Sequence, residues 1–241
     1  MRFVDTYWEK ENLGVDSGKF IVDSDEDVIE LEKALRNCNK EYLEADVIPG
    51  CIKSIIALEN NGFHFMETAI GLKACVTDIK IPKSMERFIG KVSYDESTEE
   101  ELKIILDIIS SGKMFLTDKI SLNSVFGSEK AGNRYYNWFQ SLLKNGAKCF
   151  SIHYMGKFVG FELSILKDAT VEFFLGGGFP GVYAGAGMMT VTASYDYWTH
   201  QSIKSIETNV SSNNLPVLKL HELFGLRINE MRYIFAKNID N

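Results

Sequence analysis

Val171-Glu172-Phe173-Phe174-Leu175 runs straight into Gly176-Gly177-Gly178-Phe179-Pro180-Gly181-Val182-Tyr183-Ala184-Gly185-Ala186-Gly187, and Met188 to about Gln201 then carries a helical pattern. A strand, a loop this dense in glycine and a helix, in that order, constrain the fold more than any other stretch. Glycine lets successive backbone N–H groups turn inward on an anion, and the first turn of the next helix adds partial positive charge. The loop is therefore a candidate cradle for a diphosphate. The Gly-x-Gly-x-x-Gly fingerprint of dinucleotide folds does not fit, because Thr190 stands where its third glycine belongs and the loop comes late in the chain. Phe173 to Tyr195 carries no charge and is long enough to span a bilayer, but its glycines and Pro180 break a transmembrane helix.

The residues beyond the loop sharpen the reading. Ser205-Ile206-Glu207-Thr208-Asn209-Val210 has strand character, Ser211-Ser212-Asn213-Asn214 offers capping side chains, Pro216 suits a first helical turn, and Gly225 suits a helix end. Val217, Leu218 and His221 are three and four residues apart and share one helical face. His221 therefore points inward, toward core or ligand.

In these residues the chain resembles the GNAT superfamily of acyl-coenzyme A N-acyltransferases. That family's Gln/Arg-x-x-Gly-x-Gly/Ala loop maps onto Val182-Tyr183-Ala184-Gly185-Ala186-Gly187, without the leading Gln or Arg. Its Asn-x-x-Ala-x-x-Leu-Tyr-x-x-x-Gly-Phe segment maps onto Asn214, Val217, Leu220, His221, Gly225 and Leu226, with His221 at the tyrosine. The similarity extends to the sugar-nucleotide branch typified by dTDP-fucosamine acetyltransferase, in which a partial acyltransferase half precedes a complete one. Met114 to Asp118 and Tyr135 to Trp138 look like that branch's acceptor-side helices. The resemblance implies a mixed α/β GNAT fold preceded by a degenerate GNAT-like half. It implies acetyl-coenzyme A as co-substrate, held by Phe174, Leu175, Gly176, Val182, Tyr183, Ala184, Gly185, Ala186, Gly187, Asn209, Asn214 and Val217.

A duplication is legible without the family. Glu44-Ala45-Asp46-Val47 matches Glu207-Thr208-Asn209-Val210, Gly62-Phe63 matches Gly225-Leu226, and Glu67 matches Glu230, all 163 positions apart. Where the second copy has its glycine loop, the first has Asp23-Ser24-Asp25-Glu26-Asp27, which repels a diphosphate. Only the second half is expected to bind cofactor. Strands at Lys19–Val22, Tyr42–Val47 and His64–Cys75 alternate with helices from Asp27 and Cys51, giving a first unit over residues 1–85. Residues 86–97 read as a connector, and residues 98–241 as the acetyl-coenzyme A-binding domain. There Ser97-Thr98-Glu99-Glu100 opens a helix, Glu129–Leu143 forms another, and Lys148–Tyr154 with Lys157–Leu166 forms a hairpin.

A net charge of −7 disfavours a nucleic-acid binder. The N-terminal residues have no apolar signal core, so a cytoplasmic protein is expected. Cys38, Cys51, Cys75 and Cys149 are far apart, as are the four histidines, so no metal site is expected and the thiols read as small buried hydrophobes. Neither a membrane nor a nucleic acid is an expected partner; a small-molecule amine is, and a homodimer is possible.

Direct attack of a primary amine on a thioester needs a neutral amine, a stabilised oxyanion and a proton for the departing thiolate. His221 is the candidate proton donor from its place at the family's tyrosine, with a core histidine as the other reading. Glu172, on the strand beside the cofactor, is the candidate proton acceptor, or an ordinary strand carboxylate. Tyr135, Trp138 and Tyr233 are candidate acceptor contacts, although Tyr135 and Trp138 also belong to a helical stripe that suits a core. Arg134 pairs with an acceptor diphosphate or is simply solvated. The expected acceptor, by resemblance, is an amino sugar on a nucleotide. Alternatives are an aminoglycoside, an amino acid, or a GNAT-like module that binds acyl-coenzyme A without turnover.

Overall fold

The computed structural model of the chain describes residues 1–238, which form a mixed α/β fold on one ten-stranded sheet. β1 (Arg2–Asp5) and the short α1 (Glu9–Leu13) precede β2 (Ser17–Val22), α2 (Val28–Asn37), β3 (Tyr42–Val47), α3 (Ile52–Asn60) and β4 (His64–Cys75). The second half runs β5 (Val92–Glu96), α4 (Glu99–Ser110), α5 (Lys119–Leu122), α6 (Gly127–Lys144), β6 (Lys148–Tyr154), β7 (Lys157–Lys167) and β8 (Thr170–Gly178). It ends with α7 (Ala186–Thr199), β9 (Ser205–Ser211), α8 (Leu215–Phe224) and β10 (Arg227–Asn238). The strand order is β1-β2-β3-β10-β4-β9-β8-β7-β6-β5.

The duplication is carried into this topology. β4 and β10 begin and end 163 residues apart, as do the starts of β3 and β9 and of α3 and α8. In each half two parallel strands, β2 with β3 and β8 with β9, flank a helix. The last strand of each half is then exchanged: β10 pairs with β3 of the first half, and β4 pairs with β9 of the second. Between them β4 and β10 pair antiparallel, with Ala69 opposite Arg232, two residues that are themselves 163 apart. A pseudo-twofold axis therefore passes through that pair. Glu67 opposite Ile234 and Glu230 opposite Gly71 are the same contact seen from either side, and the two register shifts fall at the equivalent residues Met66 and Asn229. Each half thus completes the other's sheet.

Hydrophobic layers cover both faces. α7 and α8 pack over a core that includes Ile70, Val159, Val171, Phe173, Ile206 and Val210, whereas α4 and α6 cover Cys149, Phe161, Leu163 and Leu175 on the opposite face. Period-two alternation buries Val171 and Phe173 and leaves Glu172 half-buried, and an irregularity in the pairing at Phe174 then turns Leu175 into the core of the opposite face.

Several sequence expectations change. Val92–Glu96, read as connector, is an edge strand paired with β6. β1, α1 and α5 are too short to show periodicity and were not anticipated. Pro216 and Gly225 punctuate α8 as expected, but Asn214 makes no side-chain capping bond; the Ser211 hydroxyl instead accepts from the Asn213 amide at 3.1 Å. Cys75 is exposed and Cys38 half-buried, so only Cys51 and Cys149 are buried thiols. The uncharged stretch from Phe173 divides into β8, loop and α7, and among the described residues no helix is long and apolar enough to cross a membrane.

Candidate active site

β8 and β9 stay paired only from Thr170 opposite Ser205 to Phe173 opposite Thr208. Beyond that point β8 follows β7 as far as Gly178 while β9 follows β4, so the two parallel strands separate into a notch. Two features sit at its apex. Thr208 Oγ1 donates to the Phe173 carbonyl at 3.1 Å, closing the last rung. Phe174 is the extra residue of a β-bulge, since Phe173 pairs with Ser164 and Leu175 with Leu163. A bulged residue has no opposite partner in the ladder, so Phe174 departs from the pairing at the apex. The first half has no such opening, because β2 and β3 pair along all six residues. Asp25 also occupies the start of α3, accepting from the amides of Lys53 and Ser54 at 3.0 and 2.9 Å.

A cavity of about 370 Å³ passes through the notch and reaches both faces of the sheet. Phe174, Leu175 and Gly176 of β8, Asn209 of β9, and Asn214 and Val217 at the start of α8 all line it, as does Gly187. The glycine loop lies at the end of β8. The amides of Val182, Ala186 and Met188 are spent on the carbonyls of Phe179, Tyr183 and Gly185, whereas those of Tyr183, Ala184, Gly185 and Gly187 have no hydrogen-bond partner among the described residues. A Cβ on Gly187 would meet nothing within 4 Å, so space is open beside these amides. Gly178 has the opposite role: a Cβ there would lie 2.4 Å from the Ala186 carbonyl carbon, so glycine permits β8 and α7 to touch. Lys157 Nζ stands 4.9 Å from the Tyr183 ring centre and brings a positive charge beside the loop, where the leading Gln or Arg is missing.

On the α7 and α8 side, His221 is buried on the cavity wall, and its Nδ1 lies 2.7 Å from the Tyr195 hydroxyl. That hydroxyl has no other hydrogen-bond partner among the described residues; with the hydroxyl donating to Nδ1, its buried proton is satisfied and the ring proton falls on Nε2. Burial lowers the His221 pKa to about 4, so the ring is neutral at pH 7. Glu162 is also on this wall, accepting from Tyr94 Oη at 2.6 Å and Trp198 Nε1 at 3.3 Å; burial pushes its pKa up.

On the α5 and α6 side, the wall is polar and aromatic: Glu67, Phe115, Asp118, Arg134, Tyr135 and Trp138. Asp118 is committed, with one oxygen accepting from the Ile120 amide at 2.8 Å and the other from Tyr135 Oη at 2.9 Å. Lys119 is bound to Glu44 at 2.7 Å. Burial alone would raise the Glu44 pKa, but Lys119, Lys19 and Arg134 together hold it at about 2. Glu67, from the first half's β4, accepts from Ser211 Oγ through one oxygen, and burial raises its pKa.

Seven expected site residues are not on the cavity wall: Glu172, Val182, Tyr183, Ala184, Gly185, Ala186 and Tyr233. Glu172 lies in the closed part of the β8/β9 pair opposite Glu207, and burial followed by the Glu207 charge raises its pKa. Tyr233 pairs with Val47 and packs with the first half's core, its ring edge-on to Phe65. Val182 and Ala186 are packing residues whose amides are already bonded. Glu67 was visible in the sequence only as a repeat match, and Arg134 only as a lone cation; neither carries a local sign of its place in the cavity. Among the described residues no cluster of three metal-binding side chains occurs.

No family model matches the sequence, and no curated protein matches it. Solved structures do resemble the fold. A GCN5-related N-acetyltransferase from Sphaerobacter thermophilus matches with a TM-score of 0.56 at 10% identity over 83% of this chain, which spans 60% of that protein's length. A conserved protein of unknown function from Staphylococcus epidermidis matches with a TM-score of 0.57 at 10% identity, covering 93% of this chain and 85% of that one. A tandem GNAT protein from the clavulanic acid biosynthesis pathway, without acetyl-coenzyme A, matches with a TM-score of 0.53 at 10% identity over 87% of this chain and 68% of its own. The comparisons carry the architecture and not the acceptor: this chain has the fold of GCN5-related N-acetyltransferases.

Proposed function

We propose that the protein is an acetyl-coenzyme A-dependent N-acetyltransferase for a small primary amine. The observation that carries this reading is the notch between β8 and β9, with a cavity that continues to the opposite face and, beyond the end of β8, unpartnered loop amides, of whose residues Gly187 lines that cavity. The amides of Tyr183, Ala184, Gly185 and Gly187 would hold the diphosphate, and Asn209, Asn214 and Val217 would line the pantetheine arm. The thioester would then sit at the apex.

There the chain supplies what direct transfer needs. The Phe174 N–H, at the bulge beside the cavity, would donate to the developing oxyanion. His221 Nε2–H donates a hydrogen bond to the sulfur as the carbon–sulfur bond breaks. Glu67, whose pKa burial raises and whose carboxylate is thereby made more basic, takes the proton from the attacking amine. The new amide bond forms as coenzyme A leaves, without an enzyme-bound intermediate. Among amines, an amino sugar on a nucleotide diphosphate suits the aromatic wall of Phe115, Tyr135 and Trp138, which offers faces for a sugar or base.

Thermal denaturation with and without acetyl-coenzyme A, followed by thiol release across an amine panel, tests the proposal. Stabilisation together with amine-dependent thiol release is the expected result. Stabilisation without release for any amine would reduce the protein to a binding module, and neither effect would overturn the reading.

A further inference from the structure

We propose that the acceptor amine also carries an acid group, a carboxylate or a phosphate, and that Arg134 binds it. The inference rests on the acetyltransferase reading of the same cavity. Arg134 projects from α6 with its side chain 23% exposed and lines the cavity. Its Nε donates to Glu9 Oε1 at 2.8 Å, and Glu9 is itself buried. The two terminal nitrogens make no hydrogen bond among the described residues, yet neither is sealed from solvent. Glu9 therefore holds the guanidinium at Nε and leaves the two terminal nitrogens without a hydrogen bond among the described residues, on a side chain that lines the cavity. Those nitrogens match a carboxylate or a phosphate.

The surrounding charges make the assignment selective. Both oxygens of Asp118 and the ammonium of Lys119 are already bonded, and Glu44 is shared between Tyr42 and Lys119. Glu44 and Asp118 act on Arg134 through their charge, but of the charged groups on the acceptor side only its terminal nitrogens and the second oxygen of Glu67 make no hydrogen bond among the described residues. One group is cationic and the other is a carboxylate. An acceptor with both an amine and an acid group satisfies both: its amine, neutral when it attacks, gives its proton to Glu67 as the amide forms, while its acid group stays on Arg134. An amine with no acid group leaves the terminal nitrogens without a ligand partner.

The test compares acceptors in matched pairs with acetyl-coenzyme A saturating. Free amino acids are set against their amides, and hexosamine phosphates against free hexosamines, so the two arms separate carboxylate from phosphate. The wild type is expected to prefer the acid-bearing member of one arm by at least about tenfold in kcat/KM, the scale of a charge-assisted hydrogen bond. Arg134→Gln should erase that preference through KM with kcat nearly unchanged, and Arg134→Lys should restore part of it. Equal use of acid-bearing and acid-free amines, or a preference that survives in Arg134→Gln, overturns the inference while leaving the acetyltransferase intact. Absence of thiol release with every amine overturns both. Should Arg134→Gln fail to fold, titration of coenzyme A-loaded wild type with N-acetylated amino acids against their amides, and with N-acetylhexosamine phosphates against N-acetylhexosamines, supplies a reading free of turnover: tighter binding of the acids in either arm supports the assignment, and equal binding in both overturns it.

Discussion

The Tyr195 hydroxyl and His221 Nδ1 lie 2.7 Å apart in the interior, and this one bond decides which nitrogen of the imidazole faces the cavity with a proton. Tyr195 is fully buried and stacks on Phe224 at 4.7 Å between ring centres, so its own position is set by packing. It acts on the thioester only through His221. Removing its hydroxyl should leave the stack in place and free the tautomer. Tyr195→Phe is therefore expected to lower kcat by about 10- to 100-fold with KM for acetyl-coenzyme A unchanged, the scale of one lost catalytic hydrogen bond. His221→Phe should lower kcat at least as far. Steady-state kinetics at saturating amine checks both, and full activity in His221→Phe would return the histidine to the core.

The buried imidazole makes stability depend on pH. His221 has its folded pKa lowered to about 4 by burial, against about 6.5 in an unfolded chain. Its contribution is fully present above pH 6.5 and is lost as pH falls toward 4, because the unfolded chain then takes up a proton that the folded one does not. The loss is on the order of 3 kcal/mol. Urea denaturation at pH 7 and pH 5 should show a smaller difference for His221→Phe than for the wild type.

Glu67 has its pKa raised by burial, partly offset by the hydrogen bond from Ser211. As a base it must be ionised, so kcat/KM should fall on the acid side with an apparent pKa above the ordinary carboxylate value. Glu67→Gln should remove that limb and lower kcat by about 100- to 10,000-fold. An unchanged pH profile in the variant would assign the proton to another group.

Two glycines separate binding from folding. Gly187→Val places side-chain atoms in the open space beside the loop amides, and it should weaken acetyl-coenzyme A binding by about tenfold or more with little change in Tm. Gly178→Ala drives a methyl group into the backbone of Ala186, and it should destabilise the fold by about 1–3 kcal/mol. Calorimetric titration and thermal denaturation measure the two effects separately.

Lys119 and Glu44 form a buried ion pair between the halves. Lys119→Met leaves the Glu44 charge in the interior, although Lys19 remains 4.0 Å away. A loss of about 3–5 kcal/mol is expected in urea unfolding, with much of it recovered in the double variant carrying Glu44→Gln.

Local chemistry determined much of this protein. Period-two and helical patterns marked β2, β3, β4 and most of the second half, and Pro216 and Gly225 bounded α8 because a missing N–H and a φ of 109° act within a few residues. The glycine loop was legible for the same reason, as was the 163-residue duplication. The strand exchange was not, since a match between Glu67 and Glu230 says that two strands are alike and nothing of which neighbour each will choose. Alternation assigns Glu172 and Phe173 to opposite faces, but only the point at which β8 leaves β9 decides that Phe174 meets the cavity and Glu172 does not. Glu67, Arg134 and His221 come from β4, α6 and α8, and no pattern along the chain brings them together. Side-chain periodicity is a property of one segment, whereas a cavity between segments exists only once their backbone hydrogen bonds have chosen partners.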